Sequence, residues 1–151
     1  MPKLVQQITE TATDSATTPA NSNFFTFDGD STLLPEKKKE QFHTSVAQLQ
    51  YLALHTRPDL LLASTILTRQ VTHPTVSDSL KLQRIVNYLA SSANETMQIS
   101  NAPIHGLKAF VDASFAGHFD YRSHTGVVIL LGDTLIIAKS KKQKVNALNS
   151  T

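Results

Sequence analysis

Residues 107–126 read L-K-A-F-V-D-A-S-F-A-G-H-F-D-Y-R-S-H-T-G, and the fold turns on how the first eight are assigned. At a period of two, Leu107, Ala109, Val111 and Ala113 fall on one side. Phe110, Asp112 and Ser114 fall on the other, the alternation of a β-strand. A carboxylate at Asp112, inside an otherwise apolar strand, is costly to bury unless a cation or several donors compensate it. Gly117, Asp120, Arg122 and Ser123 follow with turn chemistry, and residues 125–131, T-G-V-V-I-L-L, read as an apolar return strand.

Outward from this stretch, Gly132 and Asp133 form a two-residue hairpin signal, and residues 135–140 make a third strand. Lys139, Lys141, Lys142 and Lys144 cluster at its end, and residues 145–151 look like the entrance to a helix. On the other side, Pro103 and Gly106 punctuate the chain, and residues 97–99 are expected as a short strand.

Further upstream the period is that of helices. In the helix expected over 35–54, Phe42, Val46, Leu49 and Ala53 form one stripe. Thr56, Pro58 and Asp59 have the order of a helix start, with Thr56 capping and Asp59 as the capping-box acid. That second helix carries Leu60, Leu61, Ala63, Ile66, Leu67 and Val71, and stops at His73-Pro74. Thr75 and Asp78 repeat the arrangement for a third, whose buried face is Leu82, Ile85, Val86 and Leu89, with Lys81 and Arg84 outside it. Residues 1–34 are rich in Thr, Ser, Ala, Asn and Asp, the composition of an irregular linker or arm, with Phe24, Phe25 and Phe27 available to pin it onto a neighbour.

The totals permit one ordinary domain or two partial ones: 151 residues, 40% apolar, with no Trp and 7% aromatics, so any core rests on Leu, Ile and Val. Absence of cysteine excludes disulfides, thiolate zinc sites and a Cys nucleophile together. A net charge of +2 with 17% charged residues does not by itself imply a nucleic-acid partner. No run reaches membrane-spanning length and no signal-peptide core is present, so a soluble, intracellular chain is expected, without a membrane partner. The six histidines show no ligand spacing for zinc, although His118 and His124 flank the Asp112 loop. Ser114 and Ser123 lack a base and an orienting partner, which argues against a nucleophilic hydrolase. The expected class is α+β: a three-helix segment followed by a three-stranded antiparallel β-meander.

Two motif sets carry a resemblance. F-H-T-S-V-A-Q-L-Q-Y-L-A-L-H-T-R-P-D-L, residues 42–60, with His73-Pro74 and L-Q-R-I-V-N-Y-L, residues 82–89, resembles the late part of the reverse transcriptase in copia-type retrotransposon Pol polyproteins. F-V-D-A-S-F-A-G-H-F-D-Y-R-S-H-T-G, then S-K-K-Q, then A-L-N-S-T, is similar to the opening of the ribonuclease H domain of the same polyproteins. The resemblance covers roughly residues 35–151. It implies a reverse transcriptase C-terminal helical segment over 35–100 and a partial ribonuclease-H-like domain over 101–151, after the irregular arm that composition suggests over 1–34.

It also implies roles. Asp112 takes the position of the family's first metal-binding acid, where Mg²⁺ ions serve hydrolysis of RNA paired to DNA. Lys139, Lys141, Lys142 and Lys144, with Arg57 and Arg84, are the candidate contacts to an RNA–DNA hybrid or other nucleic acid. The remainder of the polyprotein is the implied partner. The family's next acid lies in a helix after S-S-T, whereas this sequence reads N-S-T151, so a single carboxylate is expected here, in a truncated chain inactive alone. Two other readings stand beside these. Asp112 is equally a strand acid paired with Arg122 or a lysine, and the lysines equally guard an edge strand. The alternative function is a non-enzymatic α+β module that binds nucleic acid through its basic strand.

Overall fold

The computed structural model describes residues 2–26, 28–100, 106–114 and 122–144. They form two compact units, residues 1–95 and 96–151. The first contains four α-helices: α1 (Pro2–Thr9), α2 (Glu36–His55), α3 (Leu61–Thr68) and α4 (Val76–Ser91). The second contains three strands: β1 (Leu107–Ser114), β2 (His124–Leu131) and β3 (Thr134–Lys142). Among the described residues, no helix is long and apolar enough to cross a membrane.

In the first unit the core follows the helical stripes. Phe42, Val46, Leu49, Leu52 and Ala53 of α2 are buried, and they meet Leu61, Ala63 and Leu67 of α3 and Ile85, Val86 and Leu89 of α4. Thr75 caps α4 as its spacing predicts. Its Oγ1 accepts from Asp78 N at 3.2 Å, and its own N–H donates to Asp78 Oδ2 at 3.0 Å, a reciprocal capping box.

Three expectations need correction. Thr56 does not cap: its hydroxyl donates back to Leu52 O at 3.4 Å, a 3-10 turn (Pro58–Leu60) intervenes, and α3 starts only at Leu61. Residues 97–99 form no strand. The segment expected as an irregular arm carries a helix and a packed aromatic, since α1 is helical, Ile8 is buried, and Phe24 is 1% exposed beside the half-exposed Phe25.

Long-range hydrogen bonds give the physical reason for that last difference. Thr13 N–H donates to Asn87 Oδ1 (3.1 Å), Gln83 Nε2 to Thr11 O (2.8 Å) and Lys81 Nζ to Thr26 O (2.7 Å). Farther along, Val76 N–H donates to Thr32 O and Leu34 N–H to Pro74 O. Polar side chains along α4 satisfy backbone that has no ladder of its own, so the polar composition that reads as a loose arm becomes the covering of a helix.

In the second unit β2 lies between β1 and β3, and both pairings are antiparallel. Gly132, at φ 60°, closes the β2–β3 turn in the left-handed conformation that suits glycine. A bulge between Ile129 and Leu130 shifts the β2–β3 register there.

Candidate functional site

Pairing across the sheet determines which side chains share a face. Asp112 lies opposite Gly126, which lies opposite Ser140. One step along, Ser114, His124 and Lys142 form the next row, and Phe110, Val128 and Ala138 the row before. On this face Asp112 stands next to a position without a side chain. His124, 9% exposed, places Nε2 2.6 Å from Ser140 Oγ. At the same end Gln143 N–H donates to Ser123 O at 2.8 Å and Gln143 Nε2 to Thr125 Oγ1 at 2.9 Å, which fastens the end of β3 to β2. The sequence did not single out the His124–Ser140 pair, because the two residues lie on different strands and only the register joins them.

Asp112 is on a strand, as its period requires; among the described residues that strand pairs on one side only, with β2, and β1 is exposed along its whole length. One carboxylate oxygen accepts from Ala113 N–H at 2.8 Å. A divalent ion such as Mg²⁺ needs about six oxygen ligands in near-octahedral geometry. Asp112 supplies one carboxylate. Among the described residues no three His, Cys, Asp or Glu side chains gather in a way that could hold a metal. The described residues alone therefore do not fit a divalent-metal site. Asp133 pairs with Lys108 at 3.5 Å across the exposed surface. His118 and Asp120 lie outside the described residues, as do residues 145–151.

The sheet's pleat divides the lysine cluster. Lys142 shares the Asp112 face. Lys139 and Lys141 lie opposite Val127 and Thr125, on the other face, and Lys144 follows the strand. The cluster seen in sequence is thus not a single patch.

The two arginines proposed for the same role have other occupations. Arg57 is 5% exposed. Its Nε and Nη2 donate to Asp59 at 3.0 and 2.7 Å, and Nη1 and Nη2 donate to Ser92 O and Oγ at 3.0 and 2.7 Å. Tyr88 adds its ring, 5.6 Å from the guanidinium carbon, and donates its hydroxyl to Asp59 Oδ2 at 2.9 Å. With its donors engaged and its head buried, Arg57 is corrected from a phosphate contact to a clasp. It ties the turn after α2 to the C-terminal end of α4. Burial opposes the charge on Asp59, but the hydrogen bonds and charge of Arg57 prevail and hold its pKa below the ordinary carboxylate value. Burial and the Asp59 carboxylate raise that of Tyr88. Arg84 reaches Thr18 Oγ1 at 2.9 Å and so belongs to the covering of α4.

A groove of about 400 Å³ on the first unit is bordered by Gln7, Ile8, Glu40, Thr44, Gln48 and Val86, among others. Its single acid does not make a metal or catalytic set.

Comparison with known proteins gives several relatives. A retrovirus-related Pol polyprotein from transposon RE1 of Arabidopsis thaliana is 37% identical over 112 residues, 74% of this chain and 8% of that protein. One from transposon RE2 of the same plant is 36% identical over 112 residues, again 74% of this chain and 8% of its own length. A secreted RxLR effector protein, number 161 of Plasmopara viticola, is 30% identical over 115 residues, 76% of this chain and 81% of the effector. The chain thus spans less than a tenth of the Pol polyproteins but most of the effector. No family model and no solved structure matches it.

Proposed function

We propose that the chain derives from the retrovirus-related Pol polyproteins of transposons, to which it is 36–37% identical over 74% of its length, and that it joins the end of a copia-type reverse transcriptase to the start of a ribonuclease-H-like domain. In that setting residues 35–100 complete the polymerase, and residues 101–151 supply the first strands of the nuclease. The whole polyprotein serves RNA-directed DNA synthesis and Mg²⁺-dependent hydrolysis of RNA in RNA–DNA hybrids.

The observation that carries this reading is Asp112. It lies on the first strand of an antiparallel meander, opposite a glycine, on a face whose neighbours at that end are polar. This chain contributes one metal-binding acid, and carboxylates from other segments of the polyprotein complete the cage. Lys142 shares the acid's face and is the lysine placed to meet a phosphate beside it. Lys139 and Lys141 add attraction for the nucleic-acid backbone without specifying sequence.

The test is a labelled RNA–DNA hybrid titrated with the chain, followed by fluorescence anisotropy at several salt concentrations, with Mg²⁺ present and cleavage monitored on gels. The expected result is salt-sensitive binding without cleavage, weakened more by Lys142→Ala than by Lys81→Ala. Cleavage by the chain alone, lost in Asp112→Asn, would show that the acid needs no outside partners. Absence of binding at low salt would remove the nucleic-acid role.

A further inference from the structure

Residues 11–26 bring a hydroxyl to a guanidinium of α4. Arg84 Nη2 donates to Thr18 Oγ1 at 2.9 Å, and the same hydroxyl donates to Ala20 O at 2.9 Å. Arg84 Nε, beside Nη2 on one edge of the guanidinium, is buried and has no hydrogen-bond partner among the described residues. Buried donors are rarely left so, charged ones least of all. Arg57 shows the same edge when it is filled: Nε and Nη2 both donate to the Asp59 carboxylate, at 3.0 and 2.7 Å. Arg84 thus presents a fork with one prong engaged.

A group with two anionic oxygens would fill both prongs, and the surroundings supply none. Residues 79–94 contain no Asp or Glu, and among the described residues no carboxylate pairs with Arg84. Asp14, the acid of the arm closest in sequence to Thr18, accepts from Ser15 N–H at 2.7 Å. Lys81, one turn before Arg84, donates to Thr26 O at 2.7 Å. Positive charge on this stretch of α4 is therefore met by neutral oxygens of the arm. Thr18 is exposed, residues 12–20 lie outside helix and strand, and Pro19 follows Thr18 directly. A threonine immediately before proline, in an accessible segment that the proline keeps from becoming helical, is the pattern that proline-directed kinases read.

We infer that Thr18 is a phosphorylation site and that its phosphate closes the Arg84 fork. The donor is ATP, delivered by a proline-directed serine/threonine kinase. The Oγ1–P bond forms, the bond between the γ-phosphorus and the β–γ bridging oxygen breaks, ADP leaves, and the hydroxyl proton passes to the kinase's catalytic base. The modified side chain gives up its donation to Ala20 O and gains three acceptor oxygens carrying a charge of about −1.5 to −2. Two of those oxygens meet Nε and Nη2 side by side, the bidentate geometry in which guanidinium–phosphate pairs are strongest. Lys81, a turn away, adds attraction. The arm is otherwise held to α4 by neutral hydrogen bonds with Gln83, Asn87 and Ser91, and the phosphate adds a charged one. Its seating then responds to a kinase, within the first unit and independently of the nuclease reading of the second.

The full chain, beside a synthetic peptide of residues 12–24, is incubated with a proline-directed kinase and Mg²⁺-ATP, and the products are mapped by tandem mass spectrometry. The expected result is a phosphoryl group on Thr18 of both, absent from Thr18→Ala. Phosphorus NMR then titrates the phosphate. In the peptide its second ionisation should fall near the ordinary value of about 6. In the folded chain the Arg84 guanidinium should lower it by about one pH unit, and Arg84→Gln should return it to the peptide value. Hydrogen exchange at the Thr13 and Ala16 amides should slow about tenfold on phosphorylation of the chain. A chain not modified at Thr18, a titration identical in chain and peptide, or exchange unchanged by the phosphate would overturn the inference. The comparison of chain with peptide decides it even where Arg84→Gln fails to fold.

Discussion

In residues 1–95, Leu49, Leu52, Leu60, Leu67, Ile85 and Leu89 are wholly buried. In residues 96–151 the most apolar strand, β2, has no buried hydrophobic side chain, and β1 is exposed from end to end. Composition does not separate the two, since V-V-I-L-L in β2 is as apolar as anything in α2 or α3. The difference is arithmetic of surfaces. Helices offer each other complementary stripes and bury them within one unit. A three-stranded meander offers two faces and covers neither by itself. Unit 1 thus holds its shape by burial, whereas the described strands of unit 2 are joined by ladder hydrogen bonds and cross-strand pairs and leave apolar side chains exposed.

Substitutions can break or sharpen this contrast, and the largest effect belongs to the helical core. Leu49→Ala removes a fully buried side chain and should cost about 3 kcal/mol, read from urea denaturation followed by circular dichroism. Val111→Ala, equally apolar but exposed, should stay within about 0.5 kcal/mol. If the strand variant proved as damaging as the core one, the contrast would fail.

Next comes the clasp. Arg57→Ala strands the Ser92 carbonyl and leaves Asp59 without its cation, at a cost of roughly 2 kcal/mol. The same network gives a pH signature. The folded pKa of Asp59 is depressed, so its contribution is present above the ordinary carboxylate value and is lost as pH falls through the folded one. Tyr88 has the opposite sign: its pKa is raised, and its contribution fades as pH climbs through the folded value above about 10. Stability at pH 7 minus stability near pH 3 should therefore shrink in Arg57→Ala, and an unchanged difference would show that the clasp is not coupled to proton binding.

The smallest effect is at the cap. Thr75→Ala, which removes one half of the α4 capping box, should cost about 1 kcal/mol in the same denaturation assay. Loss of several kcal/mol instead would mean that the Thr75 hydroxyl, which also donates to Asp78 Oδ2, carries more of the unit than a cap does.

Elements with strong periods were legible: the α2 stripe from Phe42 to Ala53, the Thr75–Asp78 cap, the three strands and the Gly132 turn all occur where spacing puts them. What failed did so for local reasons. Thr56 and Asp59 satisfy the cap pattern, yet Arg57 between them takes the carboxylate, because a bidentate guanidinium pair outcompetes a single backbone donor. Residues 11–26 have the composition of a free arm, and Asn87, Gln83, Lys81, Arg84 and Ser91, more than fifty residues away, turn it into a covering. Of the candidate site, the identity of Asp112 and its strand were readable. The one-sided pairing of that strand among the described residues, the His124–Ser140 contact and the separation of Lys142 from Lys139 and Lys141 were not.

The sequence by itself determined the periods, and so the elements, the α+β class and the resemblance carried by its motifs. Hydrophobic repeat and turn chemistry act between residues a few positions apart, within reach of any linear reading. Tertiary structure decided which strand lies between the other two, which face each lysine occupies, and whether Arg57 meets water or Asp59. Those outcomes depend on strand order, register and long-range hydrogen bonds, which bring together groups that the chain itself keeps far apart.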